Sequence, residues 1–269
     1  MNAKICKGNL CKGEKPPTTN YSPKANTCRE CCNEKMKQYH KEKGRAYRNF
    51  KNEIKANSAC VICGCKDIRL LEFDHLGEKK ITIAKSFSSK AIQEESASTQ
   101  ILCVWCHRLK SREGLDAIRK KLDDDFESAR TMPSVLEGRV CLGPLCDGRL
   151  RDSTHFYKKS NGILRNKCKT CHSYRERLVR DTNIDFVNTA KIKIGKCELC
   201  DVQVTPDTTC AFDFDHLRDK IINVSMLVRL NGDKRQEIKE EVQKCRLLCC
   251  KCHKLHTTEQ QGFHYESLA

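Results

Sequence analysis

The sequence predicts an α+β protein built from small modules that metal ions hold together, with the same plan present twice. Three observations carry this prediction. The chain has 21 cysteines in 269 residues. Most of them form close pairs that recur in one fixed order, as a duplicated unit requires. Without cysteine the apolar fraction of 38% falls to roughly 30%, so each small domain needs a source of stability besides its core.

The repeated order joins four cysteine pairs to an Asp-His pair and a final Cys-His. The first copy comprises Cys6/Cys11, Cys28/Cys31, Cys60/Cys63, Asp74-His75 and Cys103/Cys106-His107. The second copy comprises Cys141/Cys146, Cys168/Cys171, Cys197/Cys200, Asp215-His216 and Cys249/Cys252-His253. Matched residues lie 135 to 146 positions apart. This register predicts two units with the same fold and the same chemistry.

Zinc is the metal that these pairs favour. Zn²⁺ takes four tetrahedral ligands, and a two-residue gap suits two thiolates on one ion; six of the eight pairs have that gap. The wider pairs, CKGNLC and CLGPLC, each contain a glycine that allows a tight turn. We expect about four structural zinc ions, each shared by neighbouring pairs along the chain. A crossed arrangement within each half is the alternative, and it needs longer loop closures.

Disulfides are the competing explanation for so many cysteines. The N-terminus MNAKICKGNL has no charged-then-apolar leader, and no apolar run approaches the roughly 20 residues of a membrane helix. We therefore expect an intracellular protein of the cytoplasm or nucleus that is neither secreted nor held in a membrane. Paired cysteines in that setting favour metal over disulfides.

The charge of the chain favours an anionic partner. The formal net charge is +16, and sixteen ligand thiolates with four Zn²⁺ would reduce it to about +8. Basic intracellular proteins often bind nucleic acids. A soluble surface rich in lysine explains the same composition, and composition alone does not separate the two.

The first half predicts a basic helix, a strand and a second helix after its opening cysteines. From Asn33 to Ala56, Lys and Arg alternate with aromatic residues without proline, which predicts a helix with a weak point at Gly44. This helix either follows phosphates or is a solvated connector. Residues 69–74 predict a strand, and residues 103–110 predict a cysteine turn that continues into a helix.

A linker helix and a second set of elements follow. Leu115, Ile118, Leu122 and Phe126 recur at helical spacing, and the helix should end before Met132-Pro133 and pack on one of the halves. Residues 175–180 predict another basic helix, whereas residues 184–194 have no clear pattern. A strand is expected at 213–216 and a charged helix at 234–244, before a polar tail.

The Asp-His pairs carry the predicted chemistry. A neutral imidazole can accept a proton from water, and a carboxylate can hold a divalent ion that polarises a phosphodiester. Each pair precedes a Cys-His that a zinc site would bring near, and each has a lysine four residues after its histidine, Lys79 and Lys220. A structural histidine beside a cysteine turn is the alternative for each copy.

These motifs resemble HNH endonucleases of the zinc-bracketed ββα-metal type. The resemblance lies in CVIC…FDHLGEKK…LCVWCH and CELC…FDFDHLRDK…KCRLLCCKCH. The segments before them resemble the treble-clef knuckles found beside recombination endonuclease VII-like proteins. The HNH resemblance covers somewhat under half of the chain. It implies a fold of duplicated, zinc-stapled treble-clef and ββα-metal modules.

The resemblance also implies a role for individual residues. His75 and His216 match the general base. Asp74 and Asp215, with His107 and His253, match the ligands of a catalytic Mg²⁺ or Mn²⁺. The family often has an asparagine about five positions before LC-x-x-C that orients the base, and this chain has Ser98 and Lys244 there. The residues expected to contact nucleic acid are Lys79, Lys220, Arg45, Arg48, Arg175 and Arg177.

The chain then divides into six predicted segments. They are 1–57, a zinc knuckle and basic helix; 58–114, HNH-like module 1; 115–138, a helical linker; 139–195, a zinc knuckle and basic segment; 196–258, HNH-like module 2; and 259–269, a tail. The expected function is metal-dependent hydrolysis of DNA, most likely double-stranded, by one or both modules. A catalytically inactive, zinc-stapled nucleic-acid-binding protein of architectural or virion type is the second hypothesis, and a protein-protein scaffold is the third.

Overall fold

The computed structural model describes residues 6, 8, 11, 27–78, 80–86 and 88–260. The chain divides into two compact units, Met1–Leu102 and Cys103–Ala269. Helices and small two-stranded sheets make up both, so the expected mixture of helix and strand is confirmed. In the part of the chain that the structure describes, no helix has both the length and the apolar character to cross a membrane.

The first unit pairs a long exposed helix with a small sheet. Its elements are α1 (Arg29–Ala56), β1 (Leu71–His75), α2 (Ser89–Ser96) and β2 (Thr99–Cys103), and β1 pairs with β2. Its core consists of Leu70, Leu71, Ile83, Ile92, Ile101 and Leu102. The helix α1 continues through Gly44 without a break, because one glycine costs a helix only about 1 kcal/mol.

The helix α1 is largely exposed, and its partly buried apolar side chains, Tyr47, Phe50 and Ile54, share one face of its C-terminal half. Of its described side chains only Cys31 is buried. Nine lysines and arginines against four glutamates leave it strongly basic. Lys51 Nζ donates to the backbone oxygen of Ser86 at 3.0 Å, which ties its C-terminal half to the loop before α2. This short apolar face is the part of α1 that can gain stability from packing.

The second unit begins with a helix that crosses two predicted segments. The helix α3 (Val104–Thr131) runs without interruption across the expected boundary after residue 114, and it ends before Met132-Pro133 as predicted. Phe126 is buried against Tyr174, with ring centroids 5.1 Å apart. Leu115, Ile118 and Leu122 remain exposed, so Phe126 alone of the four predicted apolar residues anchors the helix.

The later elements of the second unit, Asp-His strand, short helix, second strand and final helix, follow the same order as in the first half. After α3 the second unit contains β3 (Arg139–Val140), β4 (Leu150–Arg151), β5 (Phe156–Lys158), β6 (Leu164–Cys168), α4 (Lys169–Ile194), β7 (Phe212–His216), α5 (Val224–Leu227), α6 (Arg235–Val242), β8 (Cys245–Cys249) and α7 (Cys250–Gln260). The later elements pack against the long helix α4. The helix α4 includes residues 184–194, where the sequence had no clear pattern. Asn183 is fully buried and accepts from the Lys234 backbone N–H at 3.0 Å, which fixes α4 to the start of α6.

One antiparallel hairpin positions the second Asp-His pair. Strand β7 pairs with β8 in the register Phe212↔Cys249 to His216↔Cys245, and α7 follows β8 directly. Phe212, Leu247 and Leu248 are buried beneath it. Cys249 therefore lies opposite the first residue of the strand that carries Asp215 and His216.

Candidate metal centres and active site

The sixteen paired cysteines form four sets in space. They are Cys6/Cys11/Cys28/Cys31, Cys60/Cys63/Cys103/Cys106, Cys141/Cys146/Cys168/Cys171 and Cys197/Cys200/Cys249/Cys252, each with sulfurs within 4.8 Å of one another. Neighbouring pairs along the chain share a set, so the favoured grouping is confirmed and the crossed arrangement is wrong. Among the described residues these are the only groups of three or more suitable ligands.

The sulfur geometry fits zinc. Four thiolates at about 2.3 Å from a tetrahedral ion lie about 3.8 Å apart. The measured sulfur separations are 3.7 Å for Cys6–Cys31, 3.5 Å for Cys11–Cys28 and Cys11–Cys31, 3.8 Å for Cys146–Cys168 and 3.7 Å for Cys200–Cys249. About four structural zinc ions therefore fit this chain.

Backbone N–H groups stabilise the thiolate form of one cysteine of the first set. Cys6 Sγ accepts from the backbone N–H of Cys28 at 3.1 Å and of Gly8 at 3.3 Å. The hydrogen bond from Cys28 is the main reason that the pKa of Cys6 falls to about 6. Burial instead raises the pKa of Cys11 to about 12. Metal binding to such a set must release protons from the thiols that are still protonated.

A glycine in each wide pair lets the chain approach the opposite cysteine. A Cβ added to Gly8 would stand 2.6 Å from Cys31 Sγ, and one added to Gly143 would stand 2.5 Å from Cys171 Sγ. Each glycine also opens a turn, in which its carbonyl oxygen accepts from the backbone N–H of Cys11 or Cys146. The glycines therefore leave space beside the opposite cysteine within the tight turn that the sequence predicts.

The second copy gathers its predicted ion ligands. Asp215 on β7 and His253 on α7 approach each other, with 3.7 Å between Asp215 Oδ1 and His253 Nε2. Asp213 accepts from His253 Nδ1 at 3.0 Å, and Arg108 Nη1 donates to Asp213 at 2.8 Å. Although burial opposes it, these bonds hold the pKa of Asp213 well below its usual range. The same bond from Asp213 raises the pKa of His253.

This arrangement determines what can lie between Asp215 and His253. Because Asp213 is an ionised acceptor, Nδ1 of His253 must carry a proton. A neutral ring then presents a lone pair from Nε2 towards the Asp215 carboxylate, and two electron-rich groups face each other. Either a second proton on His253 or a cation resolves that conflict. A carboxylate behind a metal-bound histidine is the usual support for such a ligand.

Two further cationic or neutral nitrogens surround Asp215. Arg246 Nε donates to Asp215 Oδ2 at 3.0 Å. His256, one turn after His253, places Nδ1 3.4 Å from the same oxygen. Arg246 Nη2 also donates to His256 Nε2 at 3.0 Å, so the proton of the neutral His256 ring is on Nδ1, which therefore has no lone pair to offer an ion.

His216 points to the other side of the strand and meets a buried acid. Its Nε2 lies 2.9 Å from Glu241 Oε1. Lys244, at the position where the resemblance places asparagine, donates to Glu241 Oε2 at 2.8 Å. Despite burial, these hydrogen bonds lower the pKa of Glu241 to about 2. The ring of His216 is therefore held by a carboxylate.

The first copy has the same outline. His75 Nε2 lies 3.0 Å from the buried Glu95, and Asp74 accepts from Gln100 Nε2 at 2.8 Å. His107 follows Cys106 in the first turn of α3. Lys79 lies outside the described residues.

The predicted nucleic-acid contacts differ in their surroundings. Arg45, Arg48, Arg175 and Lys220 are exposed. Arg177 instead pairs with Asp123 at 3.0 Å and lies over the Phe126 ring. Its guanidinium stabilises the packing of α3 on α4, which argues against it as a phosphate contact.

A cavity adjoins the second site. Its volume is about 410 Å³, within the range of ligand pockets, and it lies between α4 and β7. Asp213, His253, Arg108 and Lys191 line its polar side. Burial lowers the pKa of Lys191.

Four residues of these sites were not predicted from the sequence: Asp213, His256, Glu95 and Glu241. Both glutamates lie eight residues before the first cysteine of the last pair in their copy, and this shared register was the available signal. Comparison with protein-family models, with curated proteins and with solved structures finds no match for this chain.

Proposed function

We propose that this protein is a metal-dependent endonuclease of the HNH type that hydrolyses phosphodiester bonds in DNA. Its active module is the ββα-metal unit formed by β7, β8 and α7, beside the fourth cysteine set. The observation that carries the proposal is the approach of Asp215 on β7 to His253 on α7, at 3.7 Å, with His216 adjacent to Asp215 in the same strand.

Each residue has a role in hydrolysis. Asp215 and His253 would hold a Mg²⁺ or Mn²⁺. The ion would polarise the scissile phosphate and stabilise the leaving oxygen. Asp213 fixes His253 with Nε2 towards Asp215. His216 accepts a proton from the attacking water.

The first copy offers the same residue types in Asp74, His75 and His107. Two active modules in one chain would cut both strands of a duplex, and one active module would nick it. The treble-clef assignment of the knuckles at 1–57 and 139–195 is part of this proposal.

Duplex DNA is the substrate that the charge favours. The helix α1 is about 42 Å long for its 28 residues, and it exposes basic side chains along its length, including Arg45 and Arg48. Phosphate contacts of this kind give affinity without sequence specificity. We propose that α1 follows the DNA backbone.

A second function has one specific observation in its favour. The Arg246 guanidinium already neutralises Asp215 at 3.0 Å, as it would in a zinc-stapled nucleic-acid-binding protein that needs no catalytic ion. In that protein the basic surfaces would be retained and cleavage would be absent.

Nicking of supercoiled plasmid by the zinc-loaded chain tests the proposal. With Mg²⁺ or Mn²⁺, the wild type should cut, and His216→Ala should lose activity by about 10²- to 10⁴-fold, as expected for a general base. His155→Ala, an exposed histidine outside both sites, is the matched control. His75→Ala measures the share of the first copy. Salt-sensitive DNA binding without cutting by the wild type would instead establish the second function.

A further inference from the structure

A buried glutamate organises the segment that follows each Asp-His pair. Glu241 is 3% exposed, and its Oε1 accepts from the backbone N–H groups of Ile221 and Ile222 at 2.9 and 3.2 Å. The same oxygen lies 2.9 Å from His216 Nε2, while Oε2 accepts from Lys244. Both oxygens of this buried carboxylate therefore have hydrogen-bond partners.

The first copy repeats the device at the equivalent position. Glu95 is 4% exposed, its Oε1 accepts from the Lys80 backbone N–H at 3.1 Å, and it lies 3.0 Å from His75 Nε2. Each glutamate lies in the last turn of the short helix before the second strand, α2 or α6. Recurrence in both copies at the same separation from the cysteines makes a chance contact an inadequate explanation.

The acid determines which nitrogen of His216 carries its proton. An ionised carboxylate only accepts hydrogen bonds, so Nε2 of His216 must be the protonated nitrogen. Nδ1 then carries the lone pair, and no described residue donates a hydrogen bond to it. Nδ1 is the nitrogen that can accept a proton from water.

We propose that Glu241 is the positioning residue for His216 and replaces the asparagine of the HNH pattern. The inference rests on the proposed function for its catalytic consequence. Glu241 fixes both the orientation and the tautomer of the ring. Lys244, in the family's asparagine position, acts on His216 only through Glu241.

The two copies differ in the quality of this contact. In the second, the His216–Glu241 pair satisfies hydrogen-bond geometry. In the first, Glu95 is close to His75 Nε2, yet that nitrogen has no properly directed partner among the described residues. Glu241 should therefore affect activity more strongly than Glu95 does.

Nitrogen-15 NMR of histidine in the zinc-loaded full chain tests the tautomer directly. His216, assigned by its loss in His216→Ala, should be the Nε2–H tautomer in the wild type. Glu241→Gln should retain this tautomer, because the amide oxygen can take the place of Oε1, and Glu241→Ala should give a mixture. A wild-type Nδ1–H tautomer would overturn the proposal, whether or not the Glu241 variants fold.

Cleavage kinetics test the consequence. Glu241→Ala should lower kcat by about 10- to 100-fold, the usual effect of losing a supporting partner, with KM within twofold. Glu241→Gln should recover most of kcat, and Glu95→Gln is the matched control with a smaller effect. Zinc content and Tm verify folding. An unchanged kcat and tautomer in Glu241→Ala would refute the positioning role. A wild type that does not cut would refute the proposed function, and the tautomer would still decide the role of Glu241.

Discussion

Replacing Gly143 with alanine should remove one zinc ion from the protein. The added methyl would stand 2.5 Å from Cys171 Sγ and would overlap Cys171 Cβ. Ordinary contacts require about 3.5–4.0 Å, so the chain must open by about 1 Å. Zinc–ligand distances vary by only about 0.2 Å in a sound site, and the third cysteine set cannot absorb that displacement.

The energies show why zinc loss is expected. Overpacking a core usually costs about 1–3 kcal/mol, which a domain can survive. A structural zinc ion contributes about 10–16 kcal/mol, more than the whole stability of about 5–15 kcal/mol of a typical domain. A clash at the ligands therefore destabilises the domain mainly by releasing the metal. The third cysteine set should lose its ion, and the neighbouring β5–β6 hairpin should become disordered.

Zinc stoichiometry by metal analysis, together with Tm, measures this effect. The zinc content of Gly143→Ala should fall from about four ions per chain to about three. Gly8→Ala should behave in the same way at the first set. Gly114→Ala, a helical position with nothing within 4 Å of the added atom, should keep all its zinc and gain about 0.5–1 kcal/mol. Retention of four zinc ions and an unchanged Tm in Gly143→Ala would refute the reasoning.

Three other predictions follow from the described contacts. Phe126→Ala should destabilise the second unit by about 3–5 kcal/mol in denaturant titrations. Leu115→Ala on the same helix should change the stability by less than about 0.5 kcal/mol. Equal effects of the two substitutions would contradict the packing of α3. The double substitution Arg45→Ala and Arg48→Ala should reduce, by about 2, the magnitude of the slope of the logarithm of the DNA association constant against the logarithm of salt concentration. Arg177→Ala should leave this slope unchanged, because the Arg177 side chain pairs with Asp123. Chelation of zinc should remove most of the tertiary structure seen by near-ultraviolet circular dichroism, and an unchanged spectrum would show that the apolar cores suffice.

The sequence predicted the parts of this fold that spacing determines. Cysteine pairs at a two-residue gap identify the ligands, so the sixteen cysteines were predictable. Loop closure only favoured the grouping of neighbouring pairs over a crossed arrangement, and the structure decides between them. The strands at 71–75 and 212–216 were also predictable, because each ends at the Asp-His pair. Residues 184–194 were not predictable as a helix, since the reason for that helix is tertiary: Asn183 and Val187 are buried.

The buried glutamate beside each histidine could not be predicted from the composition of its helix. Glu241 lies in a helix of mostly charged residues, Arg235–Val242, where a glutamate normally faces solvent. No periodicity distinguishes it from Glu240. Only alignment of the two copies shows a glutamate eight residues before the last cysteine pair in both. Its burial depends on His216 and two backbone N–H groups that are distant in sequence.

The two copies share the Asp-His pair and the buried glutamate, and they differ in the charge of the side chains that contact these residues. In the second, Arg246 donates to Asp215 and Lys244 donates to the buried glutamate. The matching positions in the first copy are Gln100, which donates to Asp74, and the uncharged Ser98. Two additional cations should weaken the hold of the second copy on a divalent ion and strengthen its attraction for phosphate. The first copy should therefore require less Mg²⁺ or Mn²⁺, and the second should depend more steeply on salt. Under the proposed function, duplication followed by such changes would give one chain two related sites whose ion and DNA requirements differ.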